Sequence, residues 1–273
     1  MGHPAKKDEL AKVESGGLQV SGLLMEQLGS LQTDGFENVE ATDLLLPILS
    51  ILQSISPQCD KKNKEAYDPD VSEGEFYNSV SKKSSAELQV IPIGFTKSYI
   101  EWAPRSSGGG FIARHSAESS RISQGQKVGN KLLTPEGNEL VETREHYLMV
   151  LPEDGSSPYV ALLPMKSTAV KHSKRFINEM TTKVIQTENG PVRAPMFAQK
   201  YTLGTGIESN NQGSWYALSS IKFDGFVNDQ EFQAAKQAAD NFNATVAKAD
   251  RGFENLAPAS TEATVDVVTD LMK

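Results

Sequence analysis

The chain has 273 residues, a formal net charge of -8 at pH 7 and a hydrophobic content of 38%, which fit a soluble globular protein with one elaborated domain. Its single cysteine, Cys59, excludes an internal disulfide and cysteine-rich zinc sites. The longest apolar run, Leu44–Leu52, is too short to span a bilayer, and the first ten residues lack the apolar core of a signal peptide, so we expect a cytoplasmic protein.

The first part of the chain is predicted to be an extension, residues 1–40, which is flexible at its polar start and helical later. Leucines at helix-like spacing predict a helix over Leu18–Leu31. A second helix is predicted over Thr42–Ser54, with its N-cap near Thr42. Residues 57–75 are charged and poor in apolar residues, which predicts a loop.

The centre of the chain has the alternating and β-branched composition of strands, separated by polar turns. Strands are predicted at Phe76–Val80, Leu88–Trp102, Gly110–Arg114, His146–Leu151, Tyr159–Leu163, Met196–Thr205 and Ser214–Phe223. One helix, about Lys166–Thr182, interrupts them. This spacing suggests a small barrel or a strongly curved sheet. An Ala-rich helix over Gln230–Lys248 completes a single domain of residues 41–250, and residues 251–273 read as a loose acidic tail.

The charge is unevenly distributed along these regions. Residues 1–90 contain 8 basic and 15 acidic side chains, residues 91–223 contain 15 and 11, and residues 224–273 contain 4 and 9. A mildly basic centre therefore lies between two acidic flanks. Because association with polyanions depends on the local patch, the overall acidity does not exclude a nucleic-acid ligand.

Aromatic and basic residues alternate within Val90–His115, around a flexible glycine loop at Gly108–Gly110. Such a surface can stack bases and neutralise phosphates of a single strand. Strand parity puts Lys97 and Tyr99 on one face, opposite Trp102, and it prevents Trp215 and its neighbour Tyr216 from both pointing inward on a one-sided sheet. The alternative is that these rings belong to the core.

A second basic group lies on the predicted inserted helix. Lys171, Lys174 and Arg175 are spaced i, i+3 and i+4, which places them on a single helix face where they could contact phosphates. An ordinary solvated helix face is the alternative. His172, between them, is assigned no role.

Signatures of catalysis are missing from the sequence. It contains no P-loop, dinucleotide fingerprint, nucleophile elbow or HExxH motif. The acidic loop with Asp68 and Asp70 lacks EF-hand spacing. Asp70 and Glu87 faintly fit a metal-dependent nuclease pattern, but Gln89 stands where that pattern needs lysine. We therefore predict no enzyme activity, no catalytic residue, no metal and no cofactor.

Several blocks of the sequence resemble tailed-bacteriophage replication-module proteins that are generally regarded as single-stranded DNA-binding proteins. The blocks are EGEFYNSV (73–80), VIPIGFTKSYIEWAPRSSGGGFIARH (90–115), TREHYLMVL (143–151), MKSTAVKHSKRF (165–176) and GSWYALSSIKF (213–223). The resemblance covers about residues 40–245. It implies an OB-like β-barrel core and a role in coating DNA during phage replication or recombination.

Together these observations predict an α+β, β-rich fold: an OB-like barrel with an inserted helix and flanking N- and C-terminal helices. The predicted DNA-binding residues are Lys97, Tyr99, Trp102, Arg105, Phe111, Arg114, Lys171, Lys174, Arg175 and Trp215. Expected partners are single-stranded DNA, phage replication or recombination proteins and further copies of the chain, in the host cytoplasm and without a membrane. A phage structural or scaffolding protein, and a divalent-metal-dependent nuclease, are the alternatives.

Overall fold

The computed structural model describes residues 45–211 and 213–249. Most of them belong to one compact unit, formed by Leu46–Leu151 and the described residues after Ser157. Of a second unit, only Leu45 and Pro152–Ser157 are described. In the described part of the chain, no helix combines the length and apolar composition needed to cross a membrane.

Thirteen strands and three α-helices make up the described residues. The strands are β1 (Leu49–Ile51), β2 (Phe76–Asn78), β3 (Ser84–Ser85), β4 (Glu87–Trp102), β5 (Phe111–Ser116), β6 (Gln126–Val128), β7 (Lys131–Leu133), β8 (Glu139–Leu151), β9 (Tyr159–Lys166), β10 (Val184–Thr187), β11 (Gly190–Arg193), β12 (Gln199–Asn210) and β13 (Gly213–Phe226). The helices are α1 (Ser120–Ser123), α2 (Val170–Thr181) and α3 (Asp229–Ala249), and 3-10 turns occur at Arg105–Ser107, Ser167–Ala169 and Met196–Ala198.

The main sheet is built around β4 and β8, which pair antiparallel over most of their length. β12 pairs with the start of β4 and β5 with its end, while β9 and β7 pair with β8. The resulting order is β13-β12-β4-β8-β7-β6. No pairing among the described strands joins β13 to β6, so no closed barrel is found in this part of the chain.

Both faces of the sheet are covered at its centre, which explains the continuous apolar run in β4. Val90 lies in one core with Phe176 of α2, while its neighbour Ile91 lies in another with Ala235 of α3. Consecutive strand residues point to opposite faces. A strand that is buried on both sides therefore reads as an uninterrupted apolar sequence.

The strand-rich α+β fold predicted from the sequence is confirmed, together with the inserted helix and the Ala-rich helix. β8 and β12 are longer than predicted, and Met196–Ala198 is a 3-10 turn instead of the start of a strand. The hairpins β6–β7 and β10–β11 were not predicted. Their strands are three or four residues long and largely exposed, so they carry little apolar alternation.

The predicted helix over Thr42–Ser54 is wrong for the residues that the structure describes. Leu49–Ile51 is instead strand β1, which pairs antiparallel with β2. A short apolar run fits a buried helix or a buried strand equally well, and the pairing with β2 decides between them. The predicted helix Leu18–Leu31, the extension 1–40 and the tail 251–273 lie outside the described residues.

Side chains form hydrogen bonds with the outer edge of β13. The Gln53 amide accepts from Tyr216 N–H at 2.8 Å and donates to Tyr216 C=O at 3.0 Å. Arg175 Nη2 donates to the carbonyl oxygens of Leu218 and Ser219, at 3.1 and 2.8 Å. The β12–β13 register skips Ser219, which is therefore a bulged residue. Two side chains thus satisfy backbone groups that a neighbouring strand would otherwise bind.

Candidate nucleic-acid interface

The predicted DNA-binding residues fall into two groups, one on β4, β5 and the 3-10 turn between them, and the other on α2 and β13. Lys97 and Tyr99 lie on the same face of β4, as strand parity predicts. Lys97 is exposed, and its Nζ lies 5.9 Å from the centre of the half-buried Tyr99 ring. This pair offers a cation and part of an aromatic face to solvent.

Trp102 packs in the interior, on the face opposite to Lys97 and Tyr99. Its ring is 8% exposed and meets Phe111 edge-on, with 6.1 Å between ring centres. Lys166 Nζ lies 5.7 Å from the centre of the Trp102 ring, and burial lowers the pKa of that ammonium group. A base could stack on Trp102 only after these neighbours had moved away.

Arg114 is bound to a carboxylate of the same chain. Its Nε donates to Glu145 Oε1 at 3.0 Å, and its Nη2 contacts Glu145 Oε2. A phosphate would have to compete with this buried carboxylate. Arg105 is exposed beside the Gly108–Gly110 loop, whose three glycines all have positive φ values and open space around them.

Intramolecular ion pairs neutralise much of the basic centre. Arg121 binds Glu101 and Glu136. The same pattern recurs at Lys131–Glu139, Arg144–Glu142, Lys183–Glu179 and Lys200–Glu231. The 15 basic residues counted between 91 and 223 therefore overstate the number of cations that are available to a polyanion.

Lys171 and Trp215, which are 44 positions apart in the sequence, meet at one cleft of about 400 Å³. The N-terminal end of α2 and the ends of β12 and β13 form it. Its lining residues are Thr168, Lys171, Glu208, Ser209, Asn210 and Trp215. The register of the β12–β13 hairpin puts Glu208 directly opposite Trp215. An aromatic ring, a cation and several hydroxyl or amide groups thus line the same opening.

Glu208 is the centre of charge in this cleft. Its Oε2 lies 2.9 Å from Lys171 Nζ and 3.2 Å from His172 Nε2. The hydrogen bond from Lys171 lowers the pKa of the Glu208 carboxyl. Because the Lys171 side chain is 62% exposed, water weakens this ion pair, and another anion can compete for the ammonium group.

One nitrogen atom at the cleft has no hydrogen-bond partner among the described residues. Trp215 Nε1 is buried and unpartnered, whereas His172 Nε2 lies 3.2 Å from Glu208 Oε2. Buried polar groups are nearly always hydrogen-bonded in folded proteins. The Trp215 N–H is therefore the group at the cleft whose hydrogen bonding a bound molecule could complete.

The three basic residues predicted on one helix face have different surroundings. Lys171 faces Glu208, and Arg175 donates to the β13 carbonyls. Lys174 is exposed and has no ion pair with any described residue. Of the three, Lys174 is thus the cation that is most readily available to a phosphate.

Replacing Arg175 with methionine is expected to lower the free energy of unfolding by about 1–3 kcal/mol, because the buried Leu218 carbonyl would lose its partner. Urea unfolding checks this. Lys174→Met on the same helix is the matched control and should leave the unfolding midpoint unchanged. Equal stability of the two variants would contradict a structural role for Arg175.

The residues of the nuclease alternative do not form a recognisable metal site. Asp70 and Glu87 are both exposed. Within residues 45–211 and 213–249, no group of three or more His, Cys, Asp and Glu side chains is placed to hold a metal ion. The Asp68–Asp70 loop is instead held by local hydrogen bonds, such as Asp70 N–H to Asp68 Oδ1 at 3.0 Å.

Residues 19–248 match the family described as Pam3 phage gp34-like protein. The chain belongs to this family. The family description points to a bacteriophage protein, which agrees with the phage character of the sequence blocks. No curated protein and no solved structure gave a significant match.

Sequence reasoning missed Glu208, Asn210 and the position of His172. The signal that could have found Glu208 is the polar cluster Ser209–Asn211 followed by Gly213, which marks a hairpin turn. Folding the chain back at this turn brings Glu208 next to Trp215. The contact of this hairpin with α2 has no such signal, because it depends on the whole core.

Proposed function

We propose that this family member binds single-stranded DNA without catalysing a reaction, and that it coats the strand during phage replication or recombination in the host cytoplasm. The observation that carries the proposal is the cleft in which Lys171 and Trp215 meet. Replication or recombination proteins and further copies of the chain are the expected partners.

In this proposal Trp215 stacks a base, and Lys171 and Lys174 contact the neighbouring phosphates. An aromatic ring can stack any base, and a lysine can contact a phosphate whatever the base sequence is. The pair Trp215 and Lys171 therefore suits a protein that coats DNA. Lys97 and Tyr99 would extend the path along β4. We propose an OB-like barrel as the fold of the core, which would need a strand pairing that closes the sheet. Binding at the cleft does not depend on that closure.

Fluorescence anisotropy of a labelled single-stranded oligonucleotide tests the proposal. Trp215→Ala should weaken binding by about 5- to 150-fold, because one stacked base contributes about 1–3 kcal/mol. Lys171→Ala should weaken binding and also reduce the salt dependence, whose slope is about -0.7 per neutralised phosphate. Lys222→Ala, an exposed lysine beside Asp224 near the other end of β13, is the matched control. Absence of binding by the unmodified protein at low salt would overturn the proposal.

The internal neutralisation of the basic residues favours a second candidate, a phage structural or scaffolding protein. Such a protein would assemble through protein contacts and would have no need of free cations. Light scattering with and without oligonucleotide distinguishes the two functions. Stable assembly that is indifferent to DNA supports the structural role, and assembly only in the presence of the strand supports the DNA-binding role.

A further inference from the structure

We infer that the cleft between α2 and the β12–β13 hairpin is a discrete site for one nucleotide, with its phosphate at the start of α2 and its base on Trp215. The inference rests on the proposed function and deepens it. A continuous groove would bind only a strand with useful affinity, whereas a discrete site also binds a free nucleoside monophosphate.

The size and composition of the cleft suit such a ligand. Its volume of about 400 Å³ lies within the range of small-molecule sites. Trp215 provides an aromatic surface, and Thr168, Ser209 and Asn210 provide groups that form hydrogen bonds. This mixture of one flat apolar wall and several polar groups matches a base joined to a sugar and a phosphate.

The N-terminal end of α2 has features that favour binding of an anion. The 3-10 turn Ser167–Ala169 leads directly into α2, and neither element has a side-chain cap or an acidic residue in its first turn. The partial positive charge of this helix terminus is therefore not compensated by α2 or by the turn before it, and the carboxylate near it is that of Glu208 in β12. Lys171, in the first turn of α2, adds a full positive charge. Thr168, in the turn, and Lys171 both line the cleft.

One unpartnered polar atom supplies an independent indication of a ligand. Trp215, which lines the cleft, has a buried Nε1 without a hydrogen bond among the described residues. Glu208 Oε2 and His172 Nε2 are not further examples, because they lie 3.2 Å apart and Lys171 Nζ lies 2.9 Å from Glu208 Oε2. Unpartnered buried polar atoms are rare in folded proteins, so the Trp215 N–H is the group that a bound molecule would complete.

Glu208 sets the affinity of this site. Its carboxylate holds Lys171 in the free protein and repels an incoming phosphate. A phosphate must therefore take Lys171 from Glu208. Glu208→Gln should tighten binding of a nucleotide by about fivefold, and it should leave the binding of an uncharged nucleoside unchanged.

The indole N–H signal of Trp215 in an NMR spectrum of ¹⁵N-tryptophan-labelled protein reports on the site directly. The chain has two tryptophans, so Trp215→Phe assigns the signal and Trp102 serves as the internal reference. We expect 5′-dAMP to shift the Trp215 signal saturably. Deoxyadenosine should bind the unmodified protein at least about tenfold more weakly than 5′-dAMP does. The affinity of Lys171→Ala for 5′-dAMP should fall by a similar factor, whereas that of Lys222→Ala should equal the affinity of the unmodified protein.

The outcomes separate this inference from the proposed function. If oligonucleotide binds and 5′-dAMP at about 10 mM leaves the Trp215 signal in place, the discrete site is wrong and DNA binding stands. If neither ligand binds, both are wrong. Equal affinity for 5′-dAMP and deoxyadenosine would overturn the placement of the phosphate at α2.

Discussion

Replacing Glu101 with glutamine is expected to lower the free energy of unfolding by about 3 kcal/mol at neutral pH, since a pKa shift of one unit corresponds to about 1.4 kcal/mol. Glu101 is 2% exposed, and it accepts hydrogen bonds from Arg121 Nη2 and Asn138 Nδ2, each at 2.7 Å. His115 Nε2 lies 2.7 Å from its other oxygen. The bond from Arg121 is the largest cause that lowers the pKa of Glu101 from 4.5 to about 2.

This contribution has a defined pH dependence. The folded protein favours the ionised form of Glu101, so the stabilisation is fully present above the unfolded pKa of about 4.5. It is lost as the pH falls from there through the folded pKa of about 2. The free energies of unfolding of Glu101→Gln and of the unmodified protein, measured with urea at several pH values, should therefore become more similar as the pH falls below 4.5.

Glu136→Gln is the matched control, because Glu136 binds the same Arg121 guanidinium from an exposed position. Exposed ion pairs contribute little to stability. We expect this variant to unfold almost like the unmodified protein. A Glu101→Gln variant with the same small effect would contradict the role of the buried carboxylate.

A side chain at position 94 is expected to displace α3 from the sheet. A Cβ on Gly94 would lie 2.2 Å from Cε1 of Phe242, and that ring also packs against Tyr147, with 4.3 Å between ring centres. Gly94→Val should lower the free energy of unfolding by about 3 kcal/mol, the upper part of the range for overpacked cores. Amides of α3 should also exchange hydrogen faster, since the helix loses packing first.

Two further variants separate the clash from a general effect of adding a side chain to a strand. Gly204→Ala lies in β12, where the nearest atom to a new Cβ is Ser220 Cβ at 3.3 Å, so the loss of stability should be smaller. In a Phe242→Ala background the additional cost of Gly94→Val should largely disappear. Equal additional costs with and without Phe242 would show that the clash is not the cause.

The sequence predicted best the elements whose patterns are long. β4 and α3 lie within one residue of their predicted limits at each end, because the first has a long apolar and aromatic run and the second an unbroken Ala-rich periodicity. The segment around Leu49–Ile51 was mistaken for a helix because its apolar run is short. Residue propensities cannot decide whether such a short run forms a helix or a strand. The pairing with β2 decides it, and β2 begins 25 residues after Ile51.

The sequence indicated which types of residue a DNA-binding site would contain, but not which partners those side chains have in the folded protein. Trp215 lines the cleft and Lys171 is exposed, and their roles in binding DNA stay predictions. Arg114 and Arg175 looked equivalent to Lys171 in the sequence, yet they bind Glu145 and the carbonyls of β13. Charge counts along a chain cannot identify such pairs, because the partners are 31 and 43 positions away.

The covering of β13 by Gln53 and Arg175 also limits how copies of the protein can associate. An exposed edge strand is a template on which another molecule can add its own strand, and this is a common route to aggregation. Along Tyr216–Ser219 side chains already bind four backbone groups, which are Tyr216 N–H and the carbonyls of Tyr216, Leu218 and Ser219. If the protein coats DNA as proposed, neighbouring molecules would therefore have to touch through other surfaces, without continuing the sheet from molecule to molecule at this point.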